Sequence, residues 1–258
     1  MTTTESPLRA AGRDLIVASR NARWRYPEWP LAVVAVAVWM ALFALCAGDL
    51  AQHALHLPGH GHGVLLPSGP ETPIAPPSVP HWTLMVVAMM LPTILPAARS
   101  IALGSRWHRR QRAQALFVAG YLAPWILLGA LTIGVASQVG HWPRWLLPIA
   151  LVLAAVWELT GWKVRSLRAC HRVRPVPPQG WRADVACLAR GLTHARWCIG
   201  ACWALMCAML VAGHLITLWL MLPMTAAIVA EKFMSRPDRI VRPVAAALTA
   251  TAILTTFT

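Results

Sequence analysis

Charge is scarce in this chain, and negative charge is the scarcest. Only 12% of the 258 residues are charged, and 9 acidic side chains stand against 23 basic ones. A soluble domain normally carries about a quarter of its residues charged, so most of this surface must face something other than water. Catalytic signatures are missing too: there is no GxSxG, no HExxH and no two carboxylates close together in the sequence. Without a nucleophile–base pair or paired carboxylates at depth, an intramembrane enzyme is the weakest reading. No nucleotide-binding motif is present, so any transport is passive or coupled to another gradient. No stretch shows strand-like alternation, no internal repeat is evident, and the N-terminus lacks the pattern of a cleavable signal peptide.

What is present is apolar length. Hydrophobic residues make up 57% of the chain, and the mean hydropathy is +0.55. The fold class expected is all-α, a polytopic transmembrane helix bundle. About seven spans are predicted, at 30–47, 82–98, 115–138, 144–162, 197–213, 215–231 and 241–257, with a basic segment 1–29 ahead of a single helical domain 30–258. The fifth and sixth spans share 35 residues and must turn tightly at Gly213-His214.

The net charge of +14 invites a nucleic-acid reading, but its distribution argues against one. Segments 1–30, 99–114, 163–197 and 232–242 hold 22 of the 23 Lys and Arg residues, and the intervening gaps hold only Arg144. This alternation is the positive-inside pattern. It puts the N-terminus in the cytoplasm and, with seven crossings, the C-terminus outside a bacterial inner membrane. Tryptophans at predicted edges, among them Trp24, Trp29, Trp82, Trp107, Trp145 and Trp162, fit the same frame. The inner loop 163–197 is basic, suited to anionic lipid or a protein partner, with room for a short surface helix near 181–194.

Sulfur is concentrated where it is least expected. The stretch "WCIGACWALMCAMLVAGH" runs from Trp197 to His214. With Cys198 at zero on a helical wheel, Cys202 falls at about 40°, Met206 at about 80° and Met209 at about 20°. His194 extends this stripe one turn earlier, and Cys207 lies on the opposite face. In the second span His81, Met85 and Met89 form a similar stripe, whereas Met90 points elsewhere. Pro92 and Pro96 follow, and the carbonyls they free need partners inside the bundle. Thiolate and thioether favour Cu(I), with Zn(II) the second choice. If the two stripes face each other, they form a column of soft ligands through the core. The competing explanation is packing, since Met and Cys are ordinary core residues. In the outer loop 48–81, His53 and His56 share a face with Asp49 if the first helix extends outward. His60 and His62 follow, so the group suits a weak site gathering metal from outside. Glu158 is placed to neutralise a bound cation or to pair with a cytoplasmic Arg, the bland alternative being that it snorkels to the interface beside a basic neighbour. Glu231, beside Lys232, is expected to snorkel to the interface.

The segments "HWTLMVVAMMLPTILP", "AGYLAPWILLGA", "WKVRSLRACHR", "GLTHARWCIGACWALM" and "VAEKF" resemble the DUF2182 family of bacterial integral membrane proteins, described as predicted metal-binding proteins and sometimes as copper chaperones. The resemblance covers roughly residues 80–235. It singles out Met85, Met89, Met90, Pro92, Cys198, Cys202, Trp203, Met206, Glu231 and Lys232. It implies a copper ion as cargo and a protein partner for its delivery. Two positions depart from the family pattern. A loop cysteine pair has become Ser166 with Cys170, and Glu158 stands where glutamine is usual. The function expected is soft-metal relay or transport. The alternative is a non-enzymatic structural or accessory membrane subunit.

Overall fold

Long apolar runs with few charges satisfy their backbone groups most simply as helices, and helices are what form. The computed structural model describes residues 26–55, 78–139, 143, 145–170, 176–177, 179–212, 214–234 and 238–257. Among them there are eight α-helices and no strand: α1 (Trp29–Leu55), α2 (Val79–Gly104), α3 (Arg110–Val139), α4 (Leu146–Glu158), α5 (Gly161–Cys170), α6 (Trp181–Val211), α7 (His214–Phe233) and α8 (Asp238–Phe257). Each predicted span has a helical counterpart. Four helical stretches are long and apolar enough to cross a membrane, within α1, α2, α3 and α6, and a fifth if α4 and α5 are taken as one broken span. The seven expected crossings are therefore matched only in part.

Two spans differ from expectation in shape. The fourth is not continuous. It breaks between α4 and α5 with a bend of 70°. Thr160 makes the break: its hydroxyl donates to Trp157 O at 2.7 Å and accepts from Lys163 N at 3.4 Å. The old helix ends and the new one starts on one side chain. The fifth span is longer than expected, because the proposed surface helix and the span fuse into the 31-residue α6. Gly180, at φ 86°, turns the chain into it, a conformation open to glycine and strained for other residues.

α6 is the hub, packed against α3, α4, α5 and α7. It runs parallel to α3. Asp184 pairs with Arg109 and with Arg112 at one end, Gly191 abuts Phe117, and Cys198 meets Tyr121 farther along. α2 runs antiparallel to α3, with Trp82 Nε1 donating to Trp125 O at 3.0 Å and Gln114 Nε2 to Ala98 O at 3.4 Å. Glycines set the closest approaches: a Cβ on Gly191 would stand 2.2 Å from Phe117 O, and one on Gly120 2.4 Å from Leu188 O. Small residues at such crossings are how apolar helices associate closely. Outward-facing positions carry large apolar side chains, such as Met40, Leu131 and Val135 at 64%, 61% and 68% exposure.

The first of the two prolines inside α2 behaves as its chemistry requires. Pro92 cannot donate to Ala88 O, and Trp39 Nε1 of α1 donates to that carbonyl instead, at 3.0 Å.

Candidate metal centre

The sulfur stripe of α6 faces inward. Cys198, Cys202, Met206 and Met209 are all buried, and Cys207 is only half-buried. Cys198 is the most connected. Its Sγ lies 2.9 Å from Lys232 Nζ of α7, 3.0 Å from the Tyr121 hydroxyl of α3 and 3.9 Å from Met90 Sδ of α2. Cys202 is buried one turn farther along the same stripe. Lys232 is anchored on its other side by Thr93 Oγ1 at 3.0 Å, and Cys170 of α5 is a further electrostatic neighbour. Two thiols, one thioether, one phenol and one ammonium thus cluster in the buried core.

Beside this pocket lies a second polar cluster. Lys163 is fully buried, donates to Glu231 Oε1 at 2.9 Å, and is ion-paired with Glu158. Both glutamates have 0% exposure. The break between α4 and α5 builds the arrangement, since Glu158 closes one helix and Lys163 opens the next. α7 then contributes Glu231 and Lys232 in adjacent positions, one to each cluster. The expected snorkelling of Glu231 is overturned: its partner is a buried lysine 68 positions away.

The other expected ligands distribute unevenly. Met85 and Met89 are buried as anticipated, but the α2 thioether in contact with Cys198 is Met90. α2 is packed around most of its circumference, so a position off the predicted stripe still points into the core. His81 is half-buried at the start of α2, where its backbone N–H donates to Ser78 Oγ at 3.4 Å. His194 packs its ring on Phe117 and Tyr121, with centroids at 5.8 and 5.6 Å. α1 does extend to Leu55, but the side chain of His53, and His56, His60 and His62, lie outside the described residues.

Among the described residues no group of three or more His, Cys, Asp or Glu side chains could hold an ion together. Zn(II) wants four such ligands. Two thiols with a neighbouring thioether suit Cu(I).

Residues 79–255 match the PpoB2 family model, described as copper chaperone. The chain belongs to this family. No curated protein and no solved structure matches it. The PpoB2 match spans α2 to α8 and so contains Met90, Cys198, Cys202, Lys232 and the glutamate–lysine cluster. α1 and the outer histidines precede it. As a PpoB2 member the chain has a copper-related role, and the core thiols are the copper-suited donors the described structure offers.

Proposed function

We propose that the protein is a multi-pass protein of a bacterial inner membrane that takes up Cu(I) at Cys198 and Cys202 and passes it to a partner, with no enzymatic step. The observation that carries this reading is the pair of buried thiols one turn apart, with Met90 Sδ at 3.9 Å from Cys198. Met206 and Met209 continue the stripe on α6, Met85 and Met89 line α2, and His81 stands at the start of that helix. These residues form the relay. His53, His56, His60 and His62 gather metal ahead of it.

Lys232 explains how an ion can sit at such depth. Two thiolates and one Cu(I) leave a single negative charge, which is costly in a dry core unless balanced. An ammonium held by Thr93 at 3.0 Å supplies the balance. The same ammonium disfavours Zn(II), because a divalent ion on the two thiolates leaves the pocket net positive. Zn(II) is accordingly the second-choice cargo.

The alternative, a structural or accessory subunit, is favoured by one observation: Lys232 and Tyr121 already satisfy Cys198 without a metal. Titration with Cu(I) against a competing chelator separates the two. The parent protein retains copper and the Cys198→Ser/Cys202→Ser variant loses it. Equal retention by both leaves only the accessory role.

A further inference from the structure

The glutamate–lysine cluster is not needed to ligate copper, yet it is fully enclosed. Lys163 supplies one positive charge; Glu158 and Glu231 supply two carboxylates, all three at 0% exposure. With both carboxylates ionised the three side chains carry a net single negative charge in a dry core, which is expensive. Its hydrogen bonding points the same way. Glu158 Oε1 is buried and receives no hydrogen bond, while both carboxylates are held on the single ammonium of Lys163. Two acceptors held on one ammonium make no bond to each other until a proton lies between them. Lys163 cannot fill that role alone, since it already engages both residues.

We infer that Glu158 and Glu231, bridged by Lys163, form a buried proton-binding site that holds one shared, exchangeable proton. One carboxyl O–H then donates to the other carboxylate, the cluster becomes neutral, and Glu158 Oε1 gains a partner. The proton belongs to the pair rather than to either residue.

The surroundings leave the proton to this pair. From α6 the titratable neighbour is Cys202, close to Lys163. From α7 it is Lys232, engaged with Cys198 and Thr93. α8, packed along α4, buries Val241, Ala245, Leu248 and Ala252 and leaves Arg239 and Arg242 exposed. The site gives a chain without a nucleotide-binding motif a group that can exchange with a proton gradient. Because Glu231 precedes Lys232, it does so on the same helix turn that reaches the thiols.

Infrared spectroscopy of the purified, metal-free full chain tests this independently of copper. The expected result is a protonated-carboxyl C=O band at neutral pH that shifts in D2O and disappears as pH rises. Both Glu158→Gln and Glu231→Gln remove it, since each leaves a simple one-to-one ion pair with Lys163. Absence of the band in the parent protein from mildly acidic to neutral pH overturns the inference, as does its survival in both variants. The parent measurement decides the matter even if a variant does not fold.

Discussion

Cys198 illustrates what a single residue's chemistry reveals in sequence and what it conceals. Its place on an inward sulfur stripe follows from 3.6-residue spacing and holds in the structure. Its partners do not follow, because Met90 is 108 positions away and Lys232 is 34. No local periodicity encodes a contact made by folding the bundle. The family resemblance singles out Lys232, but a lysine at the end of an apolar run reads as an interfacial residue, so its contact with Cys198 was not legible. That role predicts a measurable effect. Hydrogen bonds to charged groups contribute about 1.5–3 kcal/mol, so Lys232→Gln should weaken Cu(I) binding roughly ten- to a hundredfold. The Cu(I)-over-Zn(II) preference should narrow with it. Competitive titration of both metals against parent and variant measures this; an unchanged ratio removes Lys232 as the balancing charge. Lys163 makes a different prediction. Removing one partner of a buried charge cluster strands the others, at a cost of about 3–5 kcal/mol. Lys163→Met should therefore lower the thermal midpoint in detergent far more than Glu158→Gln, which keeps the carboxyl's size and hydrogen-bonding capacity.

At the scale of the element, the sequence is explicit about helices and vague about where they stop. The basic residues Arg182, Arg190 and Arg196 interrupt hydropathy ahead of Trp197, which is why the apolar run alone suggests a span starting there. In the folded chain Arg190 is half-buried, Arg182 and Arg196 lie outward, and those two sit over Trp181 and Trp197 at 5.8 and 5.4 Å. The helix simply continues beneath them. The break between α4 and α5 was written in Thr160-Gly161, a helix-start signal inside an apolar run, but span length masked it. The pair of helices α3 and α6 depends on a feature that needs no prediction of depth. Gly120 and Gly191 let two backbones touch, and neither backbone can yield. Gly191→Ala should destabilise the bundle by about 1–3 kcal/mol through overpacking, read as a lower thermal midpoint. Gly134→Ala, on the same bundle but with nothing within 4 Å of the added carbon, should leave it unchanged. Equal midpoints for the two variants would mean that α3 and α6 do not meet as closely as described.

The whole molecule brings the basic ends together. Arg99 near the end of α2 pairs with Glu28 ahead of α1 at 3.4 Å. Gln111 at the start of α3 donates to Pro27 O at 3.3 Å, and Asp184 at the start of α6 is clamped by Arg109 and Arg112. Four helix ends from three separate stretches of sequence therefore share one end of the bundle, and three of the four basic segments contribute to it. The alternation of basic and base-free gaps predicts such a gathering, since positive-inside loops are expected on one side of a bilayer. The predicted outer loop 48–81 offers no such constraint, because its Pro- and Gly-rich sequence carries neither periodicity nor charge alternation. The topology follows as a prediction. Single cysteines placed at Arg106 and Gly180, in a background with the six native cysteines removed, should both be shielded from a membrane-impermeant thiol reagent added to intact cells. Both should label once the membrane is opened. A cysteine at Ser78, at the opposite end of α2, should label without opening. If Arg106 and Gly180 label from different sides, α3 and α6 cannot be parallel in the membrane, and the approach of Tyr121 to Cys198 that shapes the metal centre fails with them.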